Sequence, residues 1–310
     1  MVERANVHLQ LANRPENVML VREALTGVAD AAALDDSDLI DIHTAVTEAC
    51  NNVVQHAYNG EEGPLDVVVE LARDAVTVVV RDWGVGIPAP PDGTALDTSP
   101  PGIGLTELDT GPGIGLTAIQ ALTHRLGVRR PADGGTEIAM EFATLGSRPP
   151  QPLGEPDLAL PAIPSTPDFA LSVIPSTLHP PTIALTVTPG NLARTVLPPL
   201  MCGLAARAHF STDRLSDVHL VADALGASDG PRLRTVAGVE PRALELRIGP
   251  LDRGRGQRLV AGSSLDGLGS VIAKLADRCQ VERAGPYEVL ALRLTDERGP
   301  AGPDHAKFGR

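Results

Sequence analysis

Asp41-Ile42-His43-Thr44-Ala45-Val46-Thr47-Glu48-Ala49-Cys50-Asn51-Asn52-Val53-Val54-Gln55-His56-Ala57 reads as an amphipathic helix. Ile42, Ala45, Val46, Ala49 and Val53 recur at helical spacing and make one apolar face. Residues four apart stack on the same side of a helix, so Glu48, Asn52 and His56 fall on a single polar stripe. A carboxylate one turn from a neutral carboxamide oxygen suits a site that takes a proton beside a hydrated Mg²⁺. A capped surface helix with a solvated face shows the same pattern. The helix alone does not separate the two readings.

Downstream, Leu65–Leu71 and Ala75–Arg81 are β-rich runs joined by Ala72-Arg73-Asp74, a hairpin. The second run leads into Asp82-Trp83-Gly84-Val85-Gly86-Ile87-Pro88. A carboxylate at a strand end can accept a hydrogen bond from an exocyclic amine, while glycines let the backbone approach a flat ring. By itself D-x-G-x-G is a common turn. Gly111-Pro112-Gly113-Ile114-Gly115-Leu116 opens a helix expected over 115–126, whose free N–H groups and dipole can receive phosphates. Pro-Gly-Ile-Gly-Leu-Thr occurs at both 101–106 and 112–117, and the later copy is preferred because a helix follows it at once. Gly134-Gly135-Thr136 then precedes a closing strand, Thr136–Phe142, and sets a hydroxyl near the same site.

Upstream, residues 7–11 alternate as a strand. Asn13 is read as the cap of a helix with Pro15 early in it, running to about Ala32. Asp36 or Ser37 begins the helix quoted above, which is expected to end near Asn59-Gly60. The order gives an α/β (α+β) two-layer sandwich, a mixed and mostly antiparallel sheet covered by helices.

Taken together, these elements resemble the histidine-kinase-like ATPase (GHKL, Bergerat) fold over roughly residues 5–145. Glu48-x-x-x-Asn52 is similar to its asparagine box, Asp82-x-Gly84-x-Gly86 to its first glycine box, Gly113-x-Gly115 to its second, and Gly135-Thr136 to its final threonine motif. The short domain and the form Glu48-Ala49-x-x-Asn52-x-x-x-His56 most resemble bacterial anti-sigma-factor serine/threonine kinases. Those proteins bind a sigma factor and phosphorylate a Ser or Thr of an anti-sigma-factor antagonist, and the resemblance implies the same partners here, with ATP and Mg²⁺ as cofactors. It also implies Glu48 as general base and Asn52 as the Mg²⁺ ligand. Asp82 would read the adenine amine, with Thr136 supporting the base. Gly84, Gly86, Gly113 and Gly115 would supply backbone room and N–H donors. His56 is read as a structural hydrogen-bonding residue and Trp83 as local packing. One departure concerns charge: no Lys or Arg lies between Arg81 and Arg125, while Asp92, Asp97, Glu107 and Asp109 are acidic. A nucleotide-gated binding module for a sigma factor or similar regulator, without transfer, is therefore the alternative reading.

The net charge of −13 argues against a general nucleic-acid binder, which needs a basic face for phosphates. Three cysteines, Cys50, Cys202 and Cys279, give neither a disulfide framework nor a metal spacing, and fit a reducing cytoplasm. No apolar h-region follows the first residues and no stretch is long enough to span a bilayer. A cytoplasmic protein is expected.

Residues 147–181 are rich in proline, with Ile-Pro-Ser-Thr at 163–166 and 174–177, and read as a semi-stiff linker. Beyond it the pattern restarts. Setting residue n against n+176 aligns Leu9 with Leu185, Gly27 with Gly203, Asp41 with Asp217 and His43 with His219. Gly267-Leu268-Gly269 and Val289–Leu294 echo the later elements, and Asp252-Arg253-Gly254-Arg255-Gly256 keeps the D-x-G-x-G spacing after a short shift of register. In that alignment Glu48 meets Ala224 and Asn52 meets Ser228. Four segments are expected: an ATPase domain over 1–146, the linker, a degenerate and catalytically dead copy over 182–297, and a disordered tail over 298–310. Duplication suggests an intramolecular pseudo-dimer, or a homodimer of chains.

Overall fold

The computed structural model describes residues 5–72, 74–85, 113–144, 182–227, 230–262 and 270–296. Two compact units make up the chain, Met1–Ser165 and Thr166–Arg310. The expected linker at 147–181 and tail at 298–310 lie outside the described residues.

In the first unit the order is β1 (Ala5–Ala12), α1 (Pro15–Ala32), α2 (Asp36–Asn52), β2 (Pro64–Leu71), β3 (Ala75–Asp82), α3 (Gly113–Leu122), β4 (Arg125–Arg129) and β5 (Glu137–Ala143). The strands lie in the order β4-β5-β3-β2-β1, paired antiparallel. Runs of valine favour these strands because branched side chains fit a pleated, packed surface. Val67, Val80 and Ile138 form one row across the sheet, and Val68, Val79 and Ala139 the adjacent one. Alternate rows face opposite sides, and the second row is a buried cluster of its own.

The apolar face expected for α2 is buried: Ile42, Ala45, Val46, Ala49 and Val53 are all at most 4% exposed. Each aliphatic side chain removed from water contributes about 1.5–3 kcal/mol. Between Glu48 and Asn52 in sequence, Cys50 also turns inward and is fully buried, which pushes its thiol up to about 12.

Several boundaries differ from the sequence reading, each for a local reason. Arg14, not Asn13, caps α1. The Asn13 side chain instead accepts from Gly63 N–H at 2.7 Å and donates to the Glu61 carbonyl, tying the start of β2 to the end of β1. Asp35 caps α2 by accepting from Asp38 N–H at 2.8 Å. After Asn52 the helix widens into a π turn, Val53–Ala57, before Asn59 and Gly60 take positive φ and reverse the chain. The helix expected to reach 126 stops at Leu122, because Thr123 returns its hydroxyl to the Ile119 carbonyl and His124 N–H joins the sheet at Glu141. Arg125–Arg129 is consequently a strand, β4, paired with β5.

In the second unit β6 (Thr182–Thr188) leads into α4 (Ala193–Arg207), α5 (Thr212–Gly226), β7 (Leu233–Glu240) and β8 (Ala243–Asp252). Then come α6 (Arg255–Ala261), α7 (Val271–Leu275), β9 (Arg278–Ala284) and β10 (Tyr287–Thr295). Its strands lie in the order β6-β7-β8-β10-β9. Counted along the chain, the strands of each unit are therefore arranged first, second, third, fifth, fourth. A side-chain contact repeats as well. Thr26 Oγ1 lies 3.5 Å from His43 Nε2, and 176 residues further along Cys202 Sγ lies 3.8 Å from His219 Nδ1.

Candidate functional site

Two groups of side chains are assembled in the first unit. The first joins α2 to α3. Glu48 and Asn52 are half-buried one turn apart, and Gly115, in the first turn of α3, sits directly against both. A Cβ at that position would stand 2.5 Å from Glu48 Oε1, and 3.1 and 3.2 Å from the amide nitrogen and oxygen of Asn52. Glycine is what lets the backbone of α3 come this close.

Asp82 organises the second group, at the end of β3. It is 3% exposed; its Oδ1 accepts from Gly84 N–H at 2.8 Å, and its N–H donates to the Thr136 carbonyl at 3.0 Å. Burial pushes the Asp82 carboxyl above the usual range, and hydrogen bonds from Gly84 and from the backbone and hydroxyl of Thr136 offset only part of that. Two close approaches shape the loop around it. A Cβ on Gly84 would lie 1.9 Å from the Ala57 carbonyl oxygen, and one on Gly135, where φ is +73°, would lie 2.0 Å from the Asp82 carbonyl oxygen. Both are backbone collisions, so both glycines are required.

The π turn links the groups. Released from helical pairing, the Ala57 carbonyl accepts from Val85 N–H at 2.8 Å. Tyr58 adds a second tie that the sequence reading missed: its hydroxyl donates to the Pro64 carbonyl at 2.5 Å and accepts from Trp83 N–H at 2.9 Å. The only signal was its position, just past a helix end and just before a hairpin. The same widened turn leaves His56 exposed, and an ideal helical stripe from Glu48 to His56 does not extend through it.

A charged cluster beneath Asp82 also went unread. Arg81 is 3% exposed; it donates to Asp133 Oδ1 at 2.6 Å and to the Gly134 carbonyl at 3.2 Å, and lies 3.7 Å from Glu137 Oε2. Its guanidinium sits 5.0 Å from the centre of the Trp83 ring, while Trp83 Nε1 donates to Asp133 at 3.3 Å. Trp83 is thus packed locally, and the cluster holds the Asp133–Gly135 turn in place under the pocket.

Gly113 begins α3. Gly86, the acidic stretch 86–112 and the earlier Pro-Gly-Ile-Gly-Leu-Thr at 101–106 lie outside the described residues. Among the described residues no group of three His, Cys, Asp or Glu could hold a metal ion, and no helix is long and apolar enough to cross a membrane. The donor set nevertheless fits a magnesium nucleotide. Asn52 offers one neutral oxygen, which suffices for a hard cation whose other ligands are phosphates and water. Asp82 offers a buried carboxylate, and Gly115 brings the backbone of α3 against Glu48 and Asn52.

Comparison with known proteins agrees with this geometry. Residues 11–142 match the model of the histidine kinase-like ATPase domain, a domain that uses ATP. The serine-protein kinase RsbW of Bacillus velezensis is 32% identical over 143 residues, which are 46% of this chain and 88% of that protein. RsbW of Bacillus cereus is 34% identical over 86 residues, 27% of this chain and 54% of that protein. With its sheet order and these relatives taken together, the chain belongs to the histidine kinase-like ATPase family.

Proposed function

We propose that the first unit is an ATP-dependent serine/threonine kinase whose substrate is an anti-sigma-factor antagonist and whose bound regulator is a sigma factor. The observation that carries the reading is the seating of Gly115 against both Glu48 and Asn52, which puts the start of α3 beside a carboxylate and an amide oxygen. In the proposed arrangement Asp82 accepts from the adenine amine, Thr136 and Gly84 hold Asp82 in place, and the backbone at Gly113 and Gly115, at the start of α3, receives the phosphates. Asn52 would hold Mg²⁺, which would neutralise phosphate charge. Glu48 takes the proton of the Ser or Thr hydroxyl as its oxygen bonds to the γ-phosphorus, and the bond to the β-phosphate oxygen breaks to release ADP.

Incubating the purified chain with Mg-ATP and a candidate antagonist tests this. Glu48→Ala is expected to lower labelling by at least about a hundredfold while leaving ATP affinity within about twofold. Labelling that survives the substitution removes Glu48 from the base role. The acidic stretch without Lys or Arg between Arg81 and Arg125 favours a second reading, a nucleotide-gated binding module that transfers nothing. Partner capture that depends on ATP, with no labelling even in the unsubstituted chain, would select it. We also propose a cytoplasmic setting, which suits three free thiols. Pairing of such units, within one chain or between two, is part of the proposal, and the mass in solution decides between one chain and two.

A further inference from the structure

In the second unit the glycine loop that corresponds to the one after Asp82 is held by a carboxylate of the chain itself. The ladders fix the correspondence. In the first unit one row runs Leu9, Val67, Val80, Ile138, Val128. Starting from Leu185, the partner of Leu9 at n+176, the row in the second unit runs Leu185, Thr235, Ile248, Leu290, Val281. Ile138 thus matches Leu290. Two residues earlier in sequence, Thr136, just before β5, matches Glu288.

Glu288 is 2% exposed. Its Oε1 accepts from Gly254 N–H and its Oε2 from Gly256 N–H, both at 2.9 Å. These are the two glycines of Asp252-Arg253-Gly254-Arg255-Gly256, the counterpart of the first glycine box. The strand opposite has changed in step. The ladder shifts between Glu288 and Leu290, so that Leu251 faces Glu288. Leu251 is buried at 1% exposure, whereas Asp252 is exposed. In the first unit the buried carboxylate beside the glycine loop stands on the third strand and accepts from Gly84. In the second it stands on the fifth strand, and each of its oxygens accepts from a glycine of the loop. Helix α6 begins within that stretch, at Arg255, and packs on β8, β9 and β10, and a Cβ on Gly256 would lie 3.0 Å from Val281 and 3.1 Å from Glu288.

We infer that Glu288 is an internal latch: it holds the glycine loop and α6 of the second unit in one closed arrangement, so that this unit takes no nucleotide and the chain carries one ATP site, not two. The latch itself stands apart from the kinase reading, and only the count of one rests on an ATP site in the first unit.

Hydrogen exchange on the full chain tests it, with and without Mg-ATP, alongside a calorimetric titration. Amides within 254–261 are expected to exchange slowly without nucleotide and to be unaffected by saturating ATP. Glu288→Ala is expected to speed their exchange by about tenfold or more, the scale of losing hydrogen bonds to a charged acceptor, and Glu288→Gln by less. Unchanged exchange in β7 and α5 would show that the substituted unit is still folded; if Glu288→Ala unfolds it, Glu288→Gln alone carries the comparison. Slowing of 254–261 by ATP, two nucleotides per chain, or no effect of either substitution would overturn the latch. A chain that binds no ATP at all, yet responds to Glu288→Ala as described, would sink the kinase proposal and leave the latch standing.

Discussion

Asp82 is a buried carboxyl at the candidate site. Burial raises the pKa of Asp82, and the sign of the consequence can be worked out. An ordinary aspartate in the unfolded chain loses its charge near about pH 4. In the folded protein Asp82 takes up its proton at higher pH, so ionised Asp82 costs the empty domain stability at neutral pH, and that cost is relieved as pH falls through the raised value. Reading an adenine amine needs the ionised form, so nucleotide binding should run the opposite way. ADP affinity measured from about pH 7 down to about pH 5 is expected to fall more steeply for the unsubstituted chain than for Asp82→Asn, whose amide does not titrate. Over the same range the empty domain is expected to gain stability relative to Asp82→Asn. Parallel curves for the two proteins would separate Asp82 from base recognition.

At the scale of elements, the glycines separate into two kinds. At Gly115 an added methyl meets the mobile end of Glu48, at Gly84 the fixed carbonyl of Ala57. Gly115→Ala should therefore fold, gaining up to about 1 kcal/mol of helix propensity, while displacing the carboxylate and lowering phosphotransfer by roughly tenfold or more. Gly84→Ala should destabilise the unit by about 1–3 kcal/mol, because backbone has to move. Thermal melts beside a transfer assay check both, and a Gly115→Ala protein that keeps full activity would mean Glu48 has room to spare. Such distinctions were invisible in the sequence, where every glycine looks alike. Periodicity did reveal α2, because its buried face is continuous from Ile42 to Val53. It failed at Arg125–Arg129, where the residues after a helix carry a pattern too short to separate from the helix, and only pairing with β5 makes a strand. The π turn was likewise illegible, since nothing in Val53–Ala57 departs from helical composition, and the bond from Val85 N–H to the Ala57 carbonyl at its end joins segments distant in sequence.

Across the whole molecule, residues tied to one element were legible in the sequence and contacts between distant segments were not. Motif spacing singled out Glu48, Asn52, Asp82 and Thr136 because local chain geometry ties each to a helix or to a strand end. The pairing of Tyr58 with Trp83, and of Arg81 with Asp133, joins segments distant in sequence and left no local trace. The second unit could be matched by helix residues alone up to about Leu225, but the match of Glu288 to Thr136 needed the ladders, because the intervening loops differ in length. Cys50 gives this molecule a built-in clock. Its thiol is sealed behind the helix that carries Glu48 and Asn52, and at neutral pH almost none of it is ionised. Cys202 and Cys279 are partly exposed. A thiol reagent at about pH 8 should consequently mark Cys202 and Cys279 first and reach Cys50 only in the moments when the first unit opens. ATP at about a hundred times its dissociation constant should slow that third event by about a hundredfold, so the labelling rate of one buried sulfur would report, without any partner protein, how firmly nucleotide holds the domain shut. Labelling of Cys50 as fast as Cys202, or at a rate indifferent to ATP, would contradict this.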